Sequence, residues 1–203
     1  MSEVRWVLAS QSPRRQALMR LFGKPFEVHP AHLEEHLPEY TTRPAALGKR
    51  LARAKAEAVA PHYPDALIIA ADTLVVIDRR VLGKPANERE AFEMLRLLSG
   101  RTHTVITALC LLLRREGRTV AMTLDAPRSR VTFRPLSEEW IRWYIRTGEP
   151  FDKAGAYGIQ EYGALLIEKV HGCYFNVVGL PLATLAKRLE QLGLWRPDST
   201  LRK

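Results

Sequence analysis

The sequence predicts a mixed α/β fold, one domain built as two lobes around a cleft. Three observations predict it. Val4-Arg5-Trp6-Val7-Leu8-Ala9 is an apolar strand that runs directly into a Ser-Pro helix start. Ala66-Leu67-Ile68-Ile69-Ala70-Ala71 is a continuous apolar run, the pattern of a strand buried on both faces. Two longer strand candidates, about 102–114 and 118–133, meet at Glu116-Gly117, which reads as a hairpin.

Each element has its own signal. The strand over about 4–9 leads to a helix from Pro13, with Ser12 as its cap and proline at the first helical position. Ala17, Leu18, Leu21 and Phe22 recur at helical spacing, and Gly23 then Pro25 end the helix. Phe26-Glu27-Val28-His29 is a short alternating strand, and the acidic, His-containing stretch 30–42 is a loop. The Ala-rich segment 44–60, with Leu47, Leu51 and Lys55, is a helix stopped by Pro61. After the buried strand comes a tight turn at Asp78-Arg79-Arg80, then a helix over 87–98 with Phe92, Met94, Leu95 and Leu98. Helices at about 137–147 and 181–193 bracket a strand near 164–170. With no repeat or linker, 1–203 is expected to be one domain, with the polar residues 195–203 frayed.

Composition narrows the function. No run of about 18 apolar residues exists, so no membrane span is expected. The N-terminus has no basic-then-apolar leader, and Cys110 and Cys173 are far apart. Both features point to a cytoplasmic protein with reduced thiols. No Cys/His spacing suits zinc. Lys plus Arg is 31 against 22 Asp plus Glu, a net charge of +9, which suits a polyanionic ligand. The basic residues come in short groups such as Arg14-Arg15, Lys49-Arg50 and Arg114-Arg115. That scatter argues against a nucleic-acid tail, and no stable nucleic-acid complex is expected.

Candidate chemistry sits at a few points. A strand feeding a helix N-terminus leaves free amides for an anion. Arg14 and Arg15 add forked cationic donors suited to phosphate there. Asp72, read as the end of the buried strand, can bind a divalent cation or take a proton from water. An acid within an apolar run is costly unless something uses it. Lys84, between Gly83 and Pro85, can present a point charge to phosphate. Glu34-Glu35 lie in the acidic loop and could complete a magnesium site with Asp72. Ala154-Gly155-Ala156-Tyr157-Gly158-Ile159-Gln160 and Asn176-Val177-Val178-Gly179-Leu180-Pro181 let backbone approach a ligand closely. Neither is a Walker loop or a dinucleotide fingerprint, and no Gly-x-Ser-x-Gly elbow is present. Cys173 reads as a packing residue rather than a nucleophile.

Taken together, these segments resemble the Maf family of nucleoside triphosphate pyrophosphatases. The likeness runs from about residue 5 to residue 193. It rests on Leu8-Ala9-Ser10-Gln11-Ser12-Pro13-Arg14-Arg15, Arg53-Ala54-Lys55-Ala56, Ala71-Asp72-Thr73, Leu82-Gly83-Lys84-Pro85 and Leu98-Ser99-Gly100-Arg101-Thr102-His103. Asp152-Lys153-Ala154-Gly155-Ala156-Tyr157-Gly158-Ile159-Gln160 and the Asn176–Pro181 segment complete it. The resemblance implies hydrolysis of a nucleoside triphosphate to the monophosphate and pyrophosphate with Mg²⁺ or Mn²⁺. It also implies a mixed, twisted central sheet flanked by helices with two lobes around a deep cleft, a house-cleaning role, a link to cell division and a homodimer. It assigns Asp72 as the catalytic carboxylate that activates water. Ser10, Arg14, Lys55 and Lys84 fall on phosphate-handling positions, and Glu35 joins Asp72 at the metal, with Glu34 as the alternative. Arg14, Thr73 and Gln160 match the branch acting on dTTP and UTP; the 7-methyl-GTP branch has Trp, Gln and Glu there. Two rivals stay open: a 7-methyl-GTP or broader-specificity pyrophosphatase, and a non-catalytic basic nucleic-acid-binding division regulator.

Overall fold

Two strands too long for a single lobe organise the chain. The computed structural model describes residues 4–33 and 36–197. Its strands are β1 (Trp6–Leu8), β2 (Phe26–Val28), β3 (Ala66–Ile77), β4 (Arg80–Leu82), β5 (Thr102–Arg115), β6 (Arg118–Asp125), β7 (Arg128–Phe133) and β8 (Ile167–His171). Its helices are α1 (Pro13–Arg20), α2 (Pro44–Val59), α3 (Glu88–Leu98), α4 (Glu138–Arg146), α5 (Tyr174–Val178) and α6 (Leu182–Gln191). Among the described residues the strands form one mixed sheet, ordered β2-β1-β3-β5-β7-β8, with β4 added to β3 and β6 to β5. The β1 pairings with β2 and β3 are parallel, and the others are antiparallel.

β3 and β5 pair along their length, from Ala66 opposite Arg114 to Val76 opposite Thr104. Their outer edges change partners halfway. On β3, β1 covers Leu67–Ile69 and β4 covers Val75–Ile77. On β5, β6 covers 109–115 and β7 covers 102–106. Both edges are therefore interrupted around the rows Asp72–Ala108 and Thr73–Thr107. One lobe lies on each side of that seam, which gives the expected two-lobed architecture.

Two strand expectations are corrected here. The strand expected over 118–133 divides into β6 and β7 at Ala126-Pro127. Proline has no N–H for a ladder, and β7 pairs with a different stretch of β5 from β6. Asp72 lies inside β3, not at its end. The strand continues to Ile77 because β4 folds back on it through a two-residue turn, Asp78 and Arg79, both at positive φ (49° and 67°). A turn of that kind is ordinarily marked by Asn-Gly or Asp-Gly, so β4 carries no strong sequence signal.

Helices close both faces. On one, Leu67, Ile69 and Ala71 pack with Leu18, Met19, Leu185 and Leu189 of α1 and α6. Further along that face, Val75 and Ile77 pack with Leu95, Leu98, Ile141 and Ile145 of α3 and α4. On the other, Ala52, Ala56 and Val59 of α2 cover Ile68, Ala70 and Cys110. Burial pushes the Cys110 thiol up to about 12, as suits an inert packing cysteine. The expected helix start holds: Ser12 accepts from the Arg15 amide at 3.5 Å with Pro13 in the first turn. Trp195, in the stretch expected to be frayed, is docked instead. Its Nε1 donates to the Phe22 carbonyl at 3.0 Å, and the two rings meet edge to face at 5.2 Å. Residues 198–203 lie outside the described residues. Among the described residues no helix is long and apolar enough to cross a membrane.

Candidate active site

A cleft of about 760 Å³ opens at the seam where the sheet edges change partners. Arg14, Arg15, Lys55, Asp72, Thr73, Lys84 and Gln160 all line it, so seven of the residues singled out from sequence converge there. Ser10 is buried behind that lining, where its hydroxyl accepts from the Ser12 amide at 3.2 Å and from Arg15 Nη1 at 3.3 Å. Glu34 and Glu35 lie outside the described residues.

Alternation along β3 sends Asp72 to the α2 face and Thr73 to the opposite one. From α2, Lys55 reaches down to form a salt bridge with Asp72 Oδ1. The Asp72 side chain is 6% exposed and that of Lys55 13%. A carboxylate this desolvated needs a partner, and the ammonium supplies it. Nothing local in the sequence distinguishes Lys55 from other helical lysines; only the tertiary fold does.

On the other face Arg15 is tied to protein by three of its nitrogens. Nε donates to the Gly179 carbonyl at 2.8 Å, Nη1 to Ser10, and Nη2 to Thr73 Oγ1 at 3.0 Å. Behind Thr73 lies Thr107, whose hydroxyl is 2.9 Å away. The gap between β6 and β7 leaves the Thr107 N–H without a strand partner, and Asn176 Oδ1 accepts it at 2.9 Å. Arg14 pairs with Asp152 at 3.0 Å, and Lys153 donates to Asp152 at 2.6 Å and to the Glu149 carbonyl at 2.7 Å. Burial pushes Asp152 up, but hydrogen bonds from Lys153 and Arg14 outweigh it and hold the carboxyl below its ordinary value.

In the Gly-rich segment the glycines admit close contact with other parts of the protein itself. Gly155 takes φ 71°, and a Cβ there would stand 2.8 Å from Val75 Cγ1. Its amide bonds the Gly83 carbonyl at 3.0 Å, which ties this segment to the turn that carries Lys84. At Gly163 a Cβ would meet the Gly158 carbonyl oxygen at 1.9 Å. The small residues let the chain fold tightly around Gln160. Beneath it, His103 is buried, with Nε2 2.7 Å from the Tyr157 hydroxyl, and burial lowers its pKa to about 4. Sequence reasoning gave no separate role to Thr107, Asn176, Asp152 or Lys153. The available signals were a threonine inside the apolar run Val105-Ile106-Thr107-Ala108 and the charged pair that opens the Gly-Ala segment.

Comparison with known proteins identifies the family of the chain. A family model described as Maf-like protein matches residues 5–192. The dTTP/UTP pyrophosphatase of Symbiobacterium thermophilum is 50% identical over 187 residues, covering 92% of this chain and 93% of its own. The protein of that name from Carboxydothermus hydrogenoformans is 48% identical over 189 residues, covering 92% and 97%. The one from Aquifex aeolicus is 43% identical over 191 residues, covering 94% and 97%. Among solved structures, a HAM1 protein from Coxiella burnetii matches with a TM-score of 0.52 at 17% identity, covering 93% of this chain and 99% of that one. That likeness concerns the fold alone. On the family match and these identities, the chain belongs to the Maf family of proteins.

Proposed function

We propose that this chain hydrolyses dTTP and UTP to the monophosphate and pyrophosphate. The observation that carries the reading is the buried Lys55–Asp72 pair, which borders a cleft that Arg14, Arg15, Lys84 and Lys153 also line. A carboxylate and several cations around a nucleotide-sized cavity suit phosphoryl-type transfer, where positioning and charge stabilisation do most of the catalysis. Asp72 takes a proton from a water whose oxygen attacks the α-phosphorus. The bond from that phosphorus to the bridging oxygen breaks, and pyrophosphate leaves. Lys55 orients the carboxylate, while Arg14 and Lys84 balance the departing charge. Arg15 lines the same cleft, held in place by Gly179, Ser10 and Thr73, and its permanent positive charge supports the same anion-binding role.

The substrate choice is supported by the names of the relatives and by Arg14, Thr73 and Gln160. A glutamine amide both donates and accepts, as a pyrimidine edge requires. Mg²⁺ or Mn²⁺ is the cofactor that the family resemblance implies, and Asp72 is a buried carboxylate bordering the cleft, of the kind through which Mg²⁺ binds together with substrate phosphates. Asp72 and Glu35 would hold it, and it would neutralise phosphate charge. We place the enzyme in the cytoplasm as one catalytic domain, and as a homodimer on the family resemblance.

The test is pyrophosphate release from dTTP, UTP, CTP and 7-methyl-GTP by the wild type and by Asp72→Asn. dTTP and UTP should lead, and the variant should lose roughly 10²–10⁴-fold in turnover. Preference for 7-methyl-GTP, or near-normal turnover in a folded Asp72→Asn protein, would refute the reading.

A further inference from the structure

The hydrogen bonds behind Thr73 have a direction. A main-chain carbonyl only accepts, so the 2.6 Å bond between Thr107 Oγ1 and the Asn176 carbonyl uses the single Thr107 hydroxyl proton. The 2.9 Å bond between the two threonine hydroxyls is therefore donated by Thr73. A guanidinium has no lone pair to offer, so Arg15 Nη2 donates to Thr73 Oγ1 at 3.0 Å. The chain runs one way, from Arg15 to Thr73 to Thr107 to Asn176. Its far end is clamped. Asn176 is wholly buried; Oδ1 accepts from the Thr107 amide at 2.9 Å, and Nδ2 donates to the Val105 carbonyl and Ser129 Oγ, each at 3.0 Å. Thr73 lines the cleft with its proton committed to Thr107 and one lone pair to Arg15. A lone pair is all its hydroxyl has left for a ligand.

We infer that Thr107 is a positioning residue that holds Thr73 as a hydrogen-bond acceptor, so that the cleft selects a base carrying an N–H at that point. The inference rests on the dTTP/UTP reading. A phosphate oxygen has no proton for a lone pair, whereas a sugar hydroxyl or a base N–H has one; the match of Arg14, Thr73 and Gln160 to the dTTP/UTP branch favours the base. Uracil and thymine offer the imide N3–H; cytosine has a bare acceptor at N3. Removing the Thr107 oxygen frees the Thr73 proton, and a freely rotating hydroxyl serves donors and acceptors alike.

The experiment compares kcat/KM for UTP and CTP, which share sugar and triphosphate, in the wild type, Thr107→Val and Thr107→Ser. Thr107→Val should raise the CTP-to-UTP ratio by at least about tenfold, the scale of one unsatisfied buried polar group. Thr107→Ser keeps the oxygen and should keep the wild-type ratio, which separates polarity from packing. A second reading needs no variant: UTP methylated at N3 should lose at least about tenfold in kcat/KM with the wild type. An unchanged ratio in folded Thr107→Val, or equal turnover of UTP and its N3-methyl form, overturns the inference. A wild type that is active on UTP but prefers another base class, or is inactive on both UTP and dTTP, overturns the functional reading itself.

Discussion

Replacing Lys55 by Met strands the Asp72 carboxylate in a place where only 6% of its side chain meets solvent. Removing one partner of a buried pair typically costs about 3–5 kcal/mol, because the remaining charge is uncompensated. The cleft gives water access to one side, so the lower end applies, about 3 kcal/mol. For a chain of 203 residues, each kcal/mol moves Tm by about 2–4 °C, so Lys55→Met should melt about 6–12 °C below the wild type. Asp72→Asn alone should cost less, since the flexible lysine can extend its ammonium into the cleft. Adding Asp72→Asn to Lys55→Met leaves no buried charge and should restore at least half of the loss. Thermal and urea unfolding of the four proteins at pH 7 complete the cycle. If Lys55→Met unfolds within about 0.5 kcal/mol of the wild type, or the two losses simply add, the pair is not the desolvated unit argued for here.

Three further outcomes follow. His103 has its pKa lowered from 6.5 to about 4 by burial. The unfolded chain therefore binds that proton first as pH falls, and stability present above pH 6.5 is lost toward pH 4. The loss should be about 3 kcal/mol between pH 7 and 4, and His103→Gln should flatten that part of the urea-midpoint profile. Arg14→Ala should lower kcat/KM for dTTP and UTP by roughly 10–100-fold through lost charge-assisted hydrogen bonds. It should change stability by less than about 1 kcal/mol, since its Asp152 partner is 60% exposed; unchanged kinetics would make Arg14 a solvated helix residue. EDTA should abolish pyrophosphate release, and excess Mg²⁺ or Mn²⁺ should restore it; full activity in chelator would exclude the proposed metal.

Elements with strong local chemistry were readable from the residues alone. Ser12-Pro13 marks the start of α1, the Ala-rich 44–60 segment marks α2, and Glu116-Gly117 marks the β5–β6 hairpin. Elements defined by pairing were not. β4 is three residues long and turns on Asp78-Arg79 without glycine. The separation of β6 from β7 depends on which half of β5 each strand meets, and an apolar pattern does not encode that. Trp195 sits in a polar tail, and its docking on Phe22 is a tertiary contact that no local signal announces. Gln160 is positioned by glycine contacts and 3₁₀ turns that have no periodicity to read.

Asp72 shows the same division at the site. An acid inside an apolar run marked it chemically, because burial without use is costly. Its position could not be read, because the reason the sheet tolerates it is non-local. β1 leaves the edge of β3 before residue 72, and β4 joins only at residue 75. On β5, Asn176 serves the amide that β6 and β7 leave unpaired. Between those two interruptions the sheet has backbone edge and space to give to a ligand, while β3 and β5 keep the lobes in register through Asp72–Ala108 and Thr73–Thr107. The strands that join the lobes are thus the ones that carry the carboxylate and the threonine pair. A hinge motion between the lobes would have to break the Arg15–Thr73–Thr107–Asn176 chain or turn as one body with it. The proposed base selection is therefore tied to the same seam as Asp72, the proposed catalytic carboxylate.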